Sequence, residues 1–422
     1  MIKINFIRNN QILKNTSIMI VAALIGGGCN YLFQIFMGRT LGPIEYGVFG
    51  SLFALFYIID IMTATVQTSG SKFVSKFIGE GKPKKIQYFM IDFLKRMFIL
   101  GIIISSIIVL LSGFISSFLK INSVIPVLIL ASVFLISTLL PVNLGIIQGL
   151  QKFIALGSTR IINFSSKLIF GIILVTIGFG VNGALGAVAI GSAIALFVSF
   201  IPLRSYLSRD KTDKTDFKTK EVFLYSLPTI LAMFCFAVPA NFDVIIAKHV
   251  FAQQTAGLYS AVSVLGKIIL FIPLAVAVVM FPNVSKMHAE QKNTNRLLHI
   301  CLLYTVIVSG LIATIYWFFP MIVVKIPFGI EYLAIAPIVQ IYGLAMFFFS
   351  LTVILIWYCL AIDFFKYVYL LAIFTLFEII MLSIFNNSMM EMAKVLLFIN
   401  IILLTIGYSY VYLHKKSLKN RI

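Results

Sequence analysis

Charged residues divide this chain into twelve apolar runs, each long enough to cross a bilayer, at roughly 16–38, 47–70, 97–119, 124–149, 160–179, 183–204, 222–246, 256–282, 297–319, 333–360, 367–387 and 392–413. An unpaired backbone amide in hydrocarbon costs several kcal/mol, so an apolar segment of about 20 residues crosses as an α-helix. One run needs dividing. Lys167 to Arg204 is free of charge and too long for a single crossing, and Gly178, Gly180, Asn182 and Gly183 supply breakers for a tight hairpin inside it. Composition agrees: 61% of residues are hydrophobic and 11% charged, against about 45–50% and 25% in a soluble domain. The expectation is an all-α integral membrane protein of about twelve transmembrane helices. The basic N-terminus (Lys3, Arg8, Lys14) leads into an apolar run that continues to Met37 without a small-residue cleavage pattern, which reads as a retained first helix.

Two stretches about half the chain apart look like copies of one element. Gly38-Arg39-Thr40-Leu41-Gly42-Pro43-Ile44-Glu45-Tyr46-Gly47-Val48-Phe49 and Ala247-Lys248-His249-Val250-Phe251-Ala252-Gln253-Gln254-Thr255-Ala256-Gly257-Leu258-Tyr259 each end one span at a basic residue and turn over a short polar loop. Each then restarts at Gly, an apolar residue and an aromatic. Gly257 lies 210 residues beyond Gly47 in a chain of 422. A repeat at half-length within a membrane is most simply a transporter of two pseudo-symmetric six-helix lobes. The most polar stretch falls at the midpoint, so the lobes are read as 1–206 and 222–422, joined by a cytoplasmic linker at 207–221.

The basic residues then fix orientation. With both termini placed in the cytoplasm, twenty-six of the 33 Lys and Arg lie on the cytoplasmic side and five on the outer side, with Lys167 and Lys267 inside spans. A bias of this size is the positive-inside pattern for an even number of spans with both ends cytoplasmic. It also accounts for the net charge of +19 as loop charge facing anionic lipid heads, and nucleic acid is set aside as a partner. The outer loops are short, which excludes a large extracytoplasmic catalytic domain. No enzyme constellation is found. The four histidines lack partners at ligand spacing, no phosphate-binding glycine loop is present, and no metal or cofactor is expected. Cys29, Cys235, Cys301 and Cys359 fall in apolar runs at no metal-like spacing and read as buried thiols.

Charged groups inside spans cost at least about 2.5 kcal/mol each, so each asks for a reason. The candidates are Asp60, Lys167, Asp243, Lys267 and Glu378. Helical spacing gathers Tyr57, Asp60, Thr63, Gln67 and Ser71 into one stripe of the second span, and Arg160, Asn163 and Lys167 into a stripe of the fifth. The eighth span offers Ser260, Ser263 and Lys267, and the first offers Asn30 and Gln34. Asn241 and Asp243 follow Pro239, where a kink is expected. They stand about 200° apart on a regular helix, so only one is expected to face inward, and Asp243 is preferred. The functional reading is a water-filled cavity between the lobes, in which Lys167 and Lys267 attract an anionic group while Asp60 and Asp243 balance charge or carry a coupling proton or cation. The plainer reading is a set of inter-helix hydrogen bonds and ion pairs. Glu378, isolated in the eleventh span, reads as a structural pair or a lipid-facing protonated acid. Gly26-Gly27-Gly28 implies close packing or a hinge in the first span, and Pro141, Pro228, Pro239 and Pro273 mark candidate bends.

The run from Gly38 to Gly47 resembles the loop between helices 1 and 2 of the polysaccharide and O-antigen flippases (Wzx type), the polysaccharide transporter branch of the MATE-like MOP superfamily. Ser226-Leu227-Pro228, the segment from Asn241 to Ile246, and Gly257-Leu258-Tyr259-Ser260 carry the likeness further. The resemblance implies a MATE-like fold and a membrane transporter, not an enzyme. Its implied substrate is a polyprenyl-(pyro)phosphate-linked glycan, moved from the cytoplasmic to the outer leaflet of the cell membrane by alternating access alongside glycan-assembly machinery. It implies Arg39 and Lys248 at the outer rim, and Lys167 and Lys267 in the lumen. The remaining residues expected to meet substrate are Arg160, Asn163, Asn30, Gln34, Tyr57 and Gln67. A cation-coupled drug or metabolite antiporter of the same fold is the alternative, with Asp60 and Asp243 as its cation site.

Overall fold

The fold, seen in a computed structural model, is described for residues 2–81, 83–206 and 230–419. The helix Ile2–Gly79 is broken at Gly42 (φ 68°, ψ 171°), dividing it into α1, up to residue 41, and α2, from residue 43. A positive φ followed by Pro43 is a turn that glycine makes at little cost. Next come α3 (Pro83–Leu110) and α4, which runs as Ile125–Ser137 and resumes as Leu140–Gly149 with Pro141 at its start. A π-helical turn, Val175–Phe179, with Gly178 at φ 103°, separates α5 (Phe153–Leu174) from α6 (Gly180–Phe200). The bent helix α7 comprises Ile230–Ala237 and Phe242–Val250, at 43° to each other. The chain continues through α8 (Gln253–Ala289), α9 (Asn295–Phe318), α10 (Ala336–Ala361), α11 (Lys366–Ile384) and α12 (Met389–Lys419).

Among the described residues nine helical stretches are long and apolar enough to cross a membrane, and the bent α7 makes a tenth. Two of the nine, 59 and 54 residues long, each contain one of the glycine breaks above and so make two crossings apiece. The twelve expected spans are thereby accounted for. The lipid-facing pattern is plain on α9. From Cys301 to Ala313 its buried positions are small or polar (Cys301, Thr305, Ser309, Ala313), while Leu303, Ile307 and Leu311 are 60%, 59% and 61% exposed. Outside water an exposed leucine costs nothing, and small residues let helices approach closely.

Packing divides the chain into two compact units, Met1–Leu41 with Ile59–Ser226, and Gly42–Ile58 with Leu227–Ile422. The sequence assigns 42–58 to the N-terminal lobe, whereas by packing this first half of α2 groups with the later helices. The linker 207–221 and Pro228 lie outside the described residues. Of the other expected bends, α8 continues as helix through Pro273, and α1 remains helical through Gly26-Gly27-Gly28, with Gly26 against Phe164. All four cysteines are free, and Cys235, Cys301 and Cys359 are buried.

Within the second unit the two copies of the repeated element meet. A Cβ on Gly47 would stand 2.8 Å from the nitrogen of Gly257, and a Cβ on Gly257 would stand 1.6 Å from the carbonyl oxygen of Pro43. One turn further along, Gly50 meets Ser260, again 210 residues on. α2 and α8 therefore cross at matching positions of the repeat, as close as two backbones can come. Beside the crossing, Tyr46 is fully buried with its ring 5.7 Å from that of Phe328 and 6.4 Å from that of Tyr332.

Candidate functional site

Each unit buries its own cluster of polar side chains, and the two differ in chemistry. In the first unit, Lys167 of α5 is 5% exposed and donates to Asn30 Oδ1 on α1. Its ammonium lies 4.8 Å from the centre of the Phe33 ring and 5.3 Å from that of Phe164. Aromatic faces at this range attract a cation without neutralising it. Beside it the Cys29 thiol lies 3.6 Å from the Ser165 hydroxyl. Two turns before Lys167, Arg160 donates to Gln67 Oε1 on α2 at 3.3 Å, and the Gln67 amide nitrogen donates to Gln148 Oε1 on α4 at 2.8 Å. Asp60 is half-buried and accepts from the Thr63 hydroxyl of its own helix at 3.2 Å.

The cluster in the second unit is built around the break in α7. Lys267 of α8 donates to Asn241 Oδ1 at 2.8 Å and stands 5.9 Å from the centre of the Tyr57 ring. Asp243 is fully buried, and its Oδ2 accepts from the Tyr342 hydroxyl of α10 at 2.8 Å. That hydroxyl also reaches Ser263 at 3.3 Å. Lys267, Tyr259 and Tyr342 all lie within Coulombic reach of Asp243. Glu378 of α11 is 3% exposed and lies within the same reach of Asp243 and both tyrosines.

These positions answer the sequence expectations one by one. Asn30, Lys167, Arg160 and Gln67 come together in the first unit, and Tyr57, Lys267 and Asp243 in the second. The second-span stripe is thus divided between the units, with Tyr57 in one and Gln67 in the other. Gln34 is buried, and Asn163 is half-buried with its carbonyl oxygen facing Gly191 of α6. Asn241 and Asp243 both face the same cluster, against the expectation that only one would. Residues 238–241 are not helical and Asn241 sits at φ −141°, so the 100° step per residue does not hold between them. Arg39 is exposed, whereas Lys248 is 1% exposed and sits within the last turn of α7. Glu378 faces protein rather than lipid. Tyr342 and Gln148 escaped the sequence reading, and the signal for Gln148 was an amide, shared with Asn143, inside a largely apolar run.

The fold and the chain each have relatives. The structure matches the inward-facing conformation of a multidrug resistance MATE family transporter of the MOP superfamily at a TM-score of 0.78 and 14% identity, covering 94% of this chain and 99% of that one. An outward-facing conformation of such a transporter matches at 0.65 and 17% identity, covering 96% of each chain. A MOP superfamily transporter from Pyrococcus furiosus, for which reverse polarity of the binding pocket suggests a different function, matches at 0.68 and 17% identity, also covering 96% of each. The class is a multi-span membrane protein with the fold of MOP superfamily transporters. The model of the polysaccharide biosynthesis protein family matches residues 12–288, well over half of the chain, and the chain belongs to that family. It is also 24% identical over 290 residues to an uncharacterized membrane protein of Methanocaldococcus jannaschii, covering 65% of this chain and 68% of that one.

Proposed function

We propose that this protein is a flippase that carries a polyprenyl-(pyro)phosphate-linked oligosaccharide from the cytoplasmic to the outer leaflet of the cell membrane by alternating access. The observation that carries the reading is the pair of cations in the first unit. Lys167 donates to Asn30 and Arg160 donates to Gln67, so amide oxygens orient two cations on one face of α5. A cation costs at least about 2.5 kcal/mol there, and a transient phosphate returns that cost through charge-assisted hydrogen bonds. The amides of Gln67, Gln148 and Asn30 have the donors and acceptors that sugar hydroxyls require. The polyprenyl tail stays in lipid throughout, so only the head needs a polar route. Movement of an intact lipid needs no bond broken. Family membership and fold support a transporter in glycan assembly, and the distribution of Lys and Arg supports cytoplasmic termini.

The test is mass spectrometry of lipid-linked glycans in cells depleted of the protein, with surface glycan stained in parallel. Accumulated lipid-linked oligosaccharide with loss of surface glycan is the expected result. One specific observation favours the second reading, a cation-coupled antiporter: Asp243 is a fully buried carboxylate. Unchanged glycolipids with new sensitivity to cationic dyes would select it.

A further inference from the structure

A cation gives the amide chain of the first unit its direction. Arg160 has only N–H groups to offer, so the oxygen of Gln67 must face the guanidinium, which it does at 3.3 Å. The Gln67 nitrogen is thereby turned to Gln148, whose oxygen accepts from it at 2.8 Å. Both hydrogens on the Gln148 nitrogen then lie at the end of the chain. Glycines hold that end in place. Gly145 and Gly149, four apart on α4, bring its backbone against that of α2. A Cβ on Gly145 would stand 2.5 Å from the carbonyl oxygen of Gln67, and one on Gly149 would stand 2.8 Å from that of Ser71. Ser75 also donates to the carbonyl oxygen of Gly149, at 3.3 Å. In the segment Leu140–Gly149 every residue is buried except Gln148, which is half-buried and so keeps an open side.

The chain therefore ends in donors on both sides, the Gln148 amide on one and the remaining guanidinium N–H groups of half-buried Arg160 on the other. Such a pair favours a ligand group that only accepts, a carboxylate above all where one donor is a cation. Lys167 stands seven residues further on, two turns and about 10.5 Å along α5. Its ammonium is likewise a donor only, bonded to Asn30. One phosphate does not reach across that distance, and neither does a pyrophosphate, whose two phosphorus atoms share a single bridging oxygen. A ligand that engages both cations carries two anionic groups with at least a sugar ring between them. The acid of the α2 stripe, Asp60, accepts from the Thr63 hydroxyl of its own helix turn at 3.2 Å.

We propose that Arg160 and Gln148 form a subsite for an acidic sugar, Arg160 meeting its carboxylate and Gln148 an oxygen beside it, while Lys167 takes the lipid phosphate. The transported head group is then an acidic oligosaccharide. This rests on the flippase reading and names its substrate class. With the termini cytoplasmic, Lys167 is the deeper of the two cations, which suits a phosphate joined to a tail held in lipid. The experiment measures binding of two fluorescent polyprenyl-pyrophosphate trisaccharides to the full chain in lipid nanodiscs. One carries a terminal glucuronic acid, and the other carries glucose in its place. The expected result is tighter binding of the acidic lipid by at least about tenfold, the worth of one charge-assisted hydrogen bond. Arg160→Met abolishes that preference. So does Gln148→Glu, which still accepts from Gln67 but repels an anion. Lys167→Met weakens both lipids and keeps their ratio. Binding of the neutral lipid reports that the Arg160 and Gln148 variants are folded. Equal binding of the two lipids by the wild-type protein, or a preference that survives Arg160→Met, overturns the subsite and leaves the flippase reading standing. Binding of neither lipid contradicts the flippase reading and takes the subsite with it.

Discussion

The first unit meets its buried lysine with amides, whereas the second surrounds its lysine with carboxylates and tyrosines. In both clusters an asparagine, Asn30 or Asn241, is the acceptor for an ammonium. What differs is the company: the first unit orients its cations with amides, and the second sets Lys267 near the acids Asp243 and Glu378. A duplicated fold can in this way give its two units different buried chemistry while keeping the same order of helices. The lesson is that pseudo-symmetry conserves the frame and frees the sites.

The largest expected effect comes from making the second unit resemble the first. Glu378→Lys would set a second ammonium beside Lys267, and an uncompensated buried charge costs about 3–5 kcal/mol. The variant should run as aggregate on size-exclusion chromatography, whereas Glu378→Gln should remain monodisperse. Next, Gly257→Ala strikes the crossing that both copies share, because the added Cβ would stand 1.6 Å from the Pro43 carbonyl oxygen. Overpacking costs about 1–3 kcal/mol, seen as a lowered Tm. Gly27→Ala, with open space around it, serves as the silent control. Lys167→Met keeps the length of the side chain and removes its charge. Loss of a charge-assisted hydrogen bond worth about 1.5–3 kcal/mol should lower glycan export about tenfold or more with Tm unchanged. Smallest is Asp60→Asn, which keeps an acceptor for Thr63. Among the described residues Asp60 bonds only within its own helix turn, so export should change by less than about tenfold, within the 0.5–1.5 kcal/mol of one ordinary hydrogen bond. A loss in Asp60→Asn as deep as in Lys167→Met would show that Asp60 serves transport as much as Lys167 does.

Much of the frame was legible in the sequence. Twelve crossings follow from charge punctuation because the bilayer permits only helices of a set length. Gly42 and Gly178 mark the tight turns because few other residues adopt positive φ cheaply. The repeat signalled internal symmetry, but not that Gly47 and Gly257 touch, since periodicity within each helix says nothing about which helices cross. Three-to-four spacing brought Arg160 and Lys167 onto one face, and Gln67 onto the face of α2 that Arg160 reaches. It failed at Asn241 and Asp243, where the helix is unwound and the period lapses. Spacing is silent on the burial of Lys248 and Glu378, because burial at a span end or midway along a helix depends on the neighbouring helices, and a single chain's pattern does not contain them.

The most direct measurement is flipping by the purified protein in liposomes loaded with a fluorescent polyprenyl-pyrophosphate oligosaccharide, with wild type and Lys167→Met compared at equal incorporation. The account predicts protein-dependent appearance of the labelled head in the opposite leaflet, and a rate about tenfold or more lower in the variant. Equal rates in the two proteins, or no movement beyond that in protein-free liposomes, would contradict it.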